Sequence, residues 1–545
     1  MGKSLSEHTA EKVQLKWKQL NSDDEIGNFT NQWDDMGRYV LTKDNRKIYG
    51  SSTKGDKRVQ QLFDSKSRRY NKELARGLFG LLVNPASPFL QFTSGNEELD
   101  KQTPMKNWLQ KQERKVLNAL TFSNFHVEAE PFLEDSCGYG TGVMKIMDDA
   151  DEIIRFDSKP IFRYRVDENS KGDADTVYYE FQWDIRKIAQ EFGKHNFNHT
   201  MREMLKNKPG HRYTLIHAVE PWKQIFPNNK SRYKYTDLYW IREEGIIINM
   251  RKNGKPPKGF HEFIYAVNRF SKTSDEKYGR GPAMDALPDI KSMNEEKKNF
   301  LVAGALRNAP PLQAVDNGLL RKIKLKPYGV SYRRPGSDKI EPLFPSPAAR
   351  DSIEFLNILD EELKESFFIN LLRIIESDRM TATEIMERRD ENFRGFGTIV
   401  SRFTREWLEP VVNRVFAIMD RKGLIDDLPE ELAASDIKKL RVRFISPIAR
   451  AQRAIESENF NRALQATAPL VEAMPDILDN IDGDKVLKKN MEIFGADFSL
   501  LRSDKDKKEL REQRAKQQED AIAREANATD AQTAKTVAET QAQAG

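Results

Sequence analysis

Cysteine is almost missing: in 545 residues there is one, Cys137. A single thiol closes no disulfide within the chain and cannot build a cysteine-based structural zinc site, which fits assembly in an intracellular setting. Histidine is scarce too. Of the seven, only His195 and His199 stand four apart, a spacing that could set both on one helix face. No glutamate lies between them and no third ligand is near, so no metal site is expected. No uncharged apolar run approaches about 18 residues, so a transmembrane helix is not expected. The opening MGKSLSEHTAEKVQLKWKQL is charged throughout and reads as no signal peptide. A surplus of one charge sign is also lacking. With 89 Lys and Arg against 84 Asp and Glu, net charge is only +5, too balanced for a dedicated non-specific nucleic-acid binder. The phosphate-loop, H-E-x-x-H and G-x-S-x-G patterns are absent, and no catalytic residue or cofactor is expected. Gly138, Gly140 and Gly142 alternate, but no lysine followed by Ser or Thr closes a phosphate cradle; the run reads as a turn feeding a strand.

What is present is enough apolar matter for two to four lobes: 38% hydrophobic residues, with 30 Phe, 15 Tyr and 7 Trp. The dominant feature is a pair of long helices. The first follows Pro282, which sits where a helix start tolerates proline, and meets no strong stop before Asn308 and Pro310, apart from Pro288 and Gly304. At ~1.5 Å per residue it would be about 40 Å long. The second runs from Pro347 to about Ile375, with Ile353, Leu356, Leu363, Phe367, Leu371 and Ile374 at helical spacing. Between them lies a basic patch: Arg321, Lys322, Lys324, Lys326, Arg333, Arg334 and Lys339 against Asp316, Asp338 and Glu341, net +4. The second helix is net −3, and Glu354, Asp360, Glu361, Glu362 and Glu365 are either an ordinary solvated face or, if copies repeat around a channel, its candidate lumen-facing acids.

The rest is read in order. Residues 1 to 65 form a polar arm with one amphipathic helix near Glu11 to Leu20, either loose or ordered on its neighbours. Helices are expected at Leu74 to Val83 and Trp108 to Leu120. Antiparallel strands follow at Val143 to Met147, Ile161 to Val166, Val177 to Trp183, Leu215 to Val219, Tyr233 to Arg242, Ile246 to Met250 and Phe260 to Phe270. A helix capped by Asp184 and ended at Gly193 interrupts them. Gly395 and Gly397 would kink a later helix. Leu440 to Ser446 reads as a strand that rejoins the earlier sheet. Residues 503 to 545 are Ala- and Gln-rich, a segment that is disordered alone or helical in a barrel between subunits.

YGRGPAMDALPDIKSMN with its APPL exit, then MTATEIMERRDE and the Leu408-Glu409-Pro410 step, resemble the head-to-tail connecting (portal) proteins of short-tailed phages. NPASPFLQF and GYGTG match two further family patches, with Phe89 where Trp is usual and Tyr139 where Phe is. The resemblance runs from about Leu74 to Ala468. It implies an α+β, predominantly helical fold: wing (66–277), first stem helix (278–309), clip (310–346), second stem helix (347–375), a return through a kinked helix (382–446) and a helical crown (447–502). It further implies a dodecameric ring at the capsid portal vertex of the virion, assembled in the host cytoplasm. Double-stranded DNA would pass through its channel, with Glu376, Ser377, Asp378, Arg379 and Met380 as the channel loop. Terminase and later tail adaptor proteins would dock on the basic clip, and major capsid and scaffold proteins would surround the ring. Two other readings stay open: a structural or scaffold protein without a channel, and a phage nucleic-acid enzyme, which would need a carboxylate cluster or phosphate loop.

Overall fold

The computed structural model describes residues 5–42, 62–85, 88–227, 229, 231–251, 255–308, 312–313, 336, 341–342, 349–370, 397–428, 441–444, 483–484, 486–487, 506–514 and 516–517. The chain divides into two compact units, one of residues 1–95 and 110–444 and one of residues 96–109 and 445–545.

The first unit begins with α1 (Leu5–Asn21) and α2 (Asp24–Met36). Ala10, Val13, Trp17 and Leu20 recur every three or four residues and all are buried, so α1 presents one continuous apolar stripe. Asp23 caps α2 by accepting from the Glu25 amide. These helices pack into the core of the unit: Trp33 is fully buried and donates to the Tyr139 carbonyl at 3.1 Å. Helix α3 (Lys66–Leu82) and strand β1 (Leu90–Thr93) follow. Helix α4 (Glu97–Lys101) leads into α5 (Thr103–Phe122), and α6 is Phe125–Tyr139.

Two antiparallel sheets come next. Strands β2 (Thr141–Asp148), β3 (Ile154–Ser158) and, later, β9 (Tyr265–Arg269) make a three-stranded sheet in the order β3-β2-β9. Strands β4 (Tyr164–Glu168), β5 (Ala174–Asp184), β6 (Arg212–Val219), β7 (Leu238–Ile241) and β8 (Ile246–Ile247) make a five-stranded meander in sequence order. Helices α7 (Ile185–Phe192) and α8 (His199–Asn207) lie between β5 and β6, and α9 (Trp222–Ile225) follows β6. Alternation along the strands sorts the meander into two faces. Tyr178, Ile216, Ala218, Leu238 and Trp240 pack with the α1 stripe, whereas Leu215, Tyr213 and Ile241 pack with Ile185 and Ile188 of α7 and Met201 of α8. Asp184 caps α7, accepting from the Lys187 amide at 2.9 Å, and Gly193 ends it at φ +74°.

The long-helix region differs from expectation in two places. Pro288 lacks an amide hydrogen and its ring collides with the carbonyl four residues back, so the first helix is divided into α10 (Pro282–Asp285) and α11 (Leu287–Asn308) by Ala286. Short strands β10 (Leu312–Gln313) and β11 (Glu341–Pro342) pair with each other. The second long helix, α12 (Ala349–Ser366), is interrupted by a turn at Phe367 and Phe368, the latter at φ +58°, before helical backbone resumes at 369–370. That turn buries Phe367 and Ile369 completely.

After a helical stretch over 397–403, the backbone is π-helical over Thr404–Leu408 before α13 (Glu409–Arg421). Pro410 explains the distortion, since it cannot donate to the Glu406 carbonyl as a regular helix requires. Strand β12 (Arg441–Phe444) pairs with β1, not with either larger sheet as expected. In the second unit, Arg511 pairs with Asp484 at 2.8 Å.

Candidate functional site

The long helices are rooted where two glycine runs meet. Gly140 ends α6 in the left-handed region, at φ +75°. A Cβ on Gly140 would lie 2.3 Å from the Gly279 carbonyl oxygen, one on Gly279 would lie 2.4 Å from the Gly140 oxygen, and one on Gly281 would lie 2.3 Å from the Cys137 oxygen. Backbone thus rests directly on backbone, which only glycine permits. Hydrogen bonds close the joint: the Gly279 amide donates to Thr141 Oγ1 at 2.8 Å, and the Phe270 amide to the Gly140 carbonyl at 2.9 Å. The alternating glycines are therefore a packing device, with no room for a phosphate.

Tyr278 plugs the joint. Its ring meets Trp33 edge-on at 5.2 Å and Phe29 at 5.6 Å, and its hydroxyl accepts from the Val166 amide at 3.1 Å. Burial pushes this phenol up to about 12. Glu25 of α2 accepts from the backbone amides of Lys277 (2.7 Å) and Tyr278 (3.2 Å). Cys137 is buried beside the same joint, and burial holds its thiol well above the usual range, far from reactive.

Beside Gly279 sits a buried charge network. Arg269, 3% exposed, donates from its backbone amide (2.8 Å) and Nε (3.1 Å) to Glu406 Oε2 and from a terminal nitrogen to Glu406 Oε1 (3.0 Å), and it also pairs with Glu168. Lys272 reaches Glu168 at 2.7 Å and Arg402 reaches Glu406 at 3.0 Å. The carboxylate that fixes Arg269 thus comes from the π-helical turn that Pro410 imposes. Sequence reading missed this network, because Arg269 sits in an apolar strand and its partners are 101 and 137 residues away.

On the long helices, Leu356, Leu359 and Leu363 of α12 and Ile290 and Met293 of α11 are buried. The opposite sides are not purely polar. Leu301 and Val302 of α11 and Ile353, Phe355 and Ile358 of α12 are each about half exposed. Of the candidate lumen-facing acids, Glu354, Glu361, Glu362 and Glu365 are exposed, with Glu361 bound to Lys364 at 2.6 Å. Asp360 is less exposed than these and takes hydrogen bonds from Tyr70 (2.7 Å), Lys66 (2.9 Å) and Lys364 (3.0 Å). Burial works to raise its pKa, but those three donors outweigh it and bring the carboxyl to about 2.

The basic patch (Arg321, Lys322, Lys324, Lys326, Arg333, Arg334, Lys339) and the loop Glu376 to Met380 lie outside the described residues. His195 and His199 do not share a helix face. His195 precedes α8 and contacts the Met250 carbonyl at 3.0 Å, while His199 opens the helix. No group of three or more metal-ligating side chains occurs among the described residues. Acids in the turn after β2 are used structurally, Asp148 with Lys422 at 2.7 Å and Asp149 as acceptor for the Asp151 and Glu152 amides.

A joint that locks backbone to backbone, a charge network spent on holding elements, and a long helix pair standing on them describe a structural protein. Residues 10–501 match the family model of the bacteriophage head to tail connecting protein. The chain is 26% identical to the probable portal protein of Bordetella phage BPP-1 over 95% of its length and 93% of that protein's. It is 24% identical to the portal protein of Salmonella phage epsilon15 over 98% of its own length and 97% of that protein's. The chain belongs to the bacteriophage head-to-tail connecting protein family and serves as a portal, a structural component of the virion where head meets tail.

Proposed function

We propose that this chain assembles into a closed ring of about a dozen copies around a channel, through which double-stranded DNA enters the capsid and later leaves. The carrying observation is the helix pair of α11 and α12, buried on one side and bearing Leu301, Val302, Ile353, Phe355 and Ile358 half exposed on the rest. Apolar side chains grouped on a long exposed element are what a neighbouring copy would cover. The remaining acids of α12, Glu354, Glu361, Glu362 and Glu365, face solvent; those that line the channel repel phosphate and let DNA slide. In this reading α11 and α12 are the stem, residues 310–346 the clip, 376–381 the channel loop, and 447–502 the crown. The seven cations of the clip, repeated around the ring, form a positive collar on which terminase docks during packaging and tail adaptors dock afterwards. Capsid and scaffold proteins surround the wing, assembly takes place in the host cytoplasm, and the chain itself makes and breaks no bond.

Imaging of the purified full-length protein tests the reading. Rings with a central hole wide enough for duplex DNA are expected. Particles that stay monomeric at every concentration, with or without added scaffold protein, would overturn it.

A further inference from the structure

We propose that the open edge of β5 is a docking site for an extended, acidic peptide segment of a partner protein, which adds there as a strand. The inference does not depend on the ring.

The edge exists because β4 is shorter than its neighbour. Pairing between β4 and β5 reaches only as far as Tyr164 opposite Tyr179. The chain before Tyr164 leaves the sheet as a 3₁₀ turn, Ile161–Arg163, directly after Pro160. Strand β5 continues to Asp184 along β6, and among the described residues no strand covers the side that β4 vacates.

The register shows which backbone groups face that side. Thr214 of β6 turns both its backbone groups toward β7: its amide donates to the Glu243 carboxylate, and its carbonyl accepts from the Arg242 amide at 3.0 Å. Gln182 stands opposite Thr214. In an antiparallel pair this makes Gln182 a non-hydrogen-bonded residue with respect to β6, so its own N–H and C=O point at the open edge. Gln182 is exposed.

A cleft of about 250 Å³ lies along this edge, lined among others by Arg163, Phe181, Gln182, Trp183, Lys187 and Arg212. Phe181 and Trp183 are only partly buried and meet edge-on at 5.0 Å, giving apolar contact for alternate side chains of an added strand. Charge selects the occupant. The cleft's two acids are already engaged, Glu180 by Arg242 at 3.1 Å and Asp184 as the cap of α7. Arg163, Lys187 and Arg212 have no carboxylate within ion-pair distance among the described residues. An outward-facing backbone donor and acceptor at Gln182, apolar footing and three cations without a carboxylate partner together fit strand addition by an acidic segment.

The probe is a fluorescein-labelled heptapeptide alternating valine or phenylalanine with glutamate, titrated against the full-length protein by anisotropy. Binding is expected, with at least a tenfold loss when glutamate is replaced by lysine or when the peptide amides are alternately N-methylated. Gln182→Pro removes an edge N–H without touching the β6 ladder, so it should weaken binding at least tenfold with unchanged circular dichroism. The double variant Arg163→Glu/Arg212→Glu should do the same with the backbone intact. Three results would each overturn the proposal: no binding up to millimolar peptide, equal binding of the N-methylated peptide, or a single-stranded oligonucleotide that outcompetes the acidic peptide.

Discussion

Within one chain the five-stranded sheet has both faces covered, α1 supplying Val13, Trp17 and Leu20 on one side and α7 and α8 supplying Ile188 and Met201 on the other. Among the described residues the helix pair of α11 and α12 is covered on one side alone, and Phe355 and Ile358 stay half exposed although Leu356 and Leu359 beside them are buried. The sheet is completed by the folding of its own chain, whereas in the proposed ring the helix pair is completed by another. Stability and assembly should therefore be separable by mutation: changes in the sheet lobe and at the joint should cost folding, and changes on the helix pair should cost association.

The largest effect is expected at the glycine joint. Gly279→Ala would force a Cβ to within 2.4 Å of a backbone oxygen, and we expect more than about 4 kcal/mol of destabilisation, read as loss of soluble folded protein. Gly304→Ala in α11, where a Cβ meets open space, should instead be neutral or stabilising by up to ~1 kcal/mol. Equal denaturation midpoints for the two variants would contradict the joint. Arg269→Ala comes next. It strands Glu168 and Glu406 with reduced compensation and should cost about 3–5 kcal/mol in chemical denaturation, while loss of less than about 1 kcal/mol would mean the network is solvated.

The sheet's closure by α1 also creates a pH dependence. Glu220 is buried beside Tyr178, whose hydroxyl bonds it, with Lys12 and Lys16 of α1 nearby. Burial raises its carboxyl to about 7, above the ordinary 4.5, against the lowering effect of Tyr178 and Lys16. The unfolded chain releases this proton near 4.5 and the folded chain holds it to about 7, so the group's contribution to stability falls as pH rises through that window. Glu220→Gln should accordingly gain on the parent between pH 4.5 and 7, by on the order of 3 kcal/mol. His217, lowered to about 4 by burial and Lys145, acts in the opposite direction in both proteins and drops out of the difference. A stability difference flat in pH would remove the Glu220 assignment.

The same contrast governs what could be read from sequence. Period-two alternation and the Asp184 cap are local signals, and they located most of the strands and α7. Burial of α1 and α2 was not legible, because Trp17 and Trp33 find partners such as Tyr178 and Tyr278 more than 150 residues on. Strand β3 was missed in a run opened by acids, and the turn at Phe367 and Phe368 was missed because no Gly or Pro marks it. Acid counting could not show that two donors to Asp360, Lys66 and Tyr70, come from α3. The glycine runs were visible, but that they interlock is a fact of three dimensions. The apolar residues of the helix pair were legible as a pattern, and only the fold sorts them into buried and exposed.

The most direct measurement is site-specific photo-crosslinking from the exposed side of α12. Cys137 is buried and unreactive, so Ile358→Cys carries the sole accessible thiol and can be labelled with a benzophenone maleimide. Irradiation of the full-length protein should give a ladder of covalent oligomers, beginning at twice the 63.0 kDa chain mass. A single monomer band under conditions where the parent protein is assembled would contradict the claim that this side of the helix pair is where one copy meets the next.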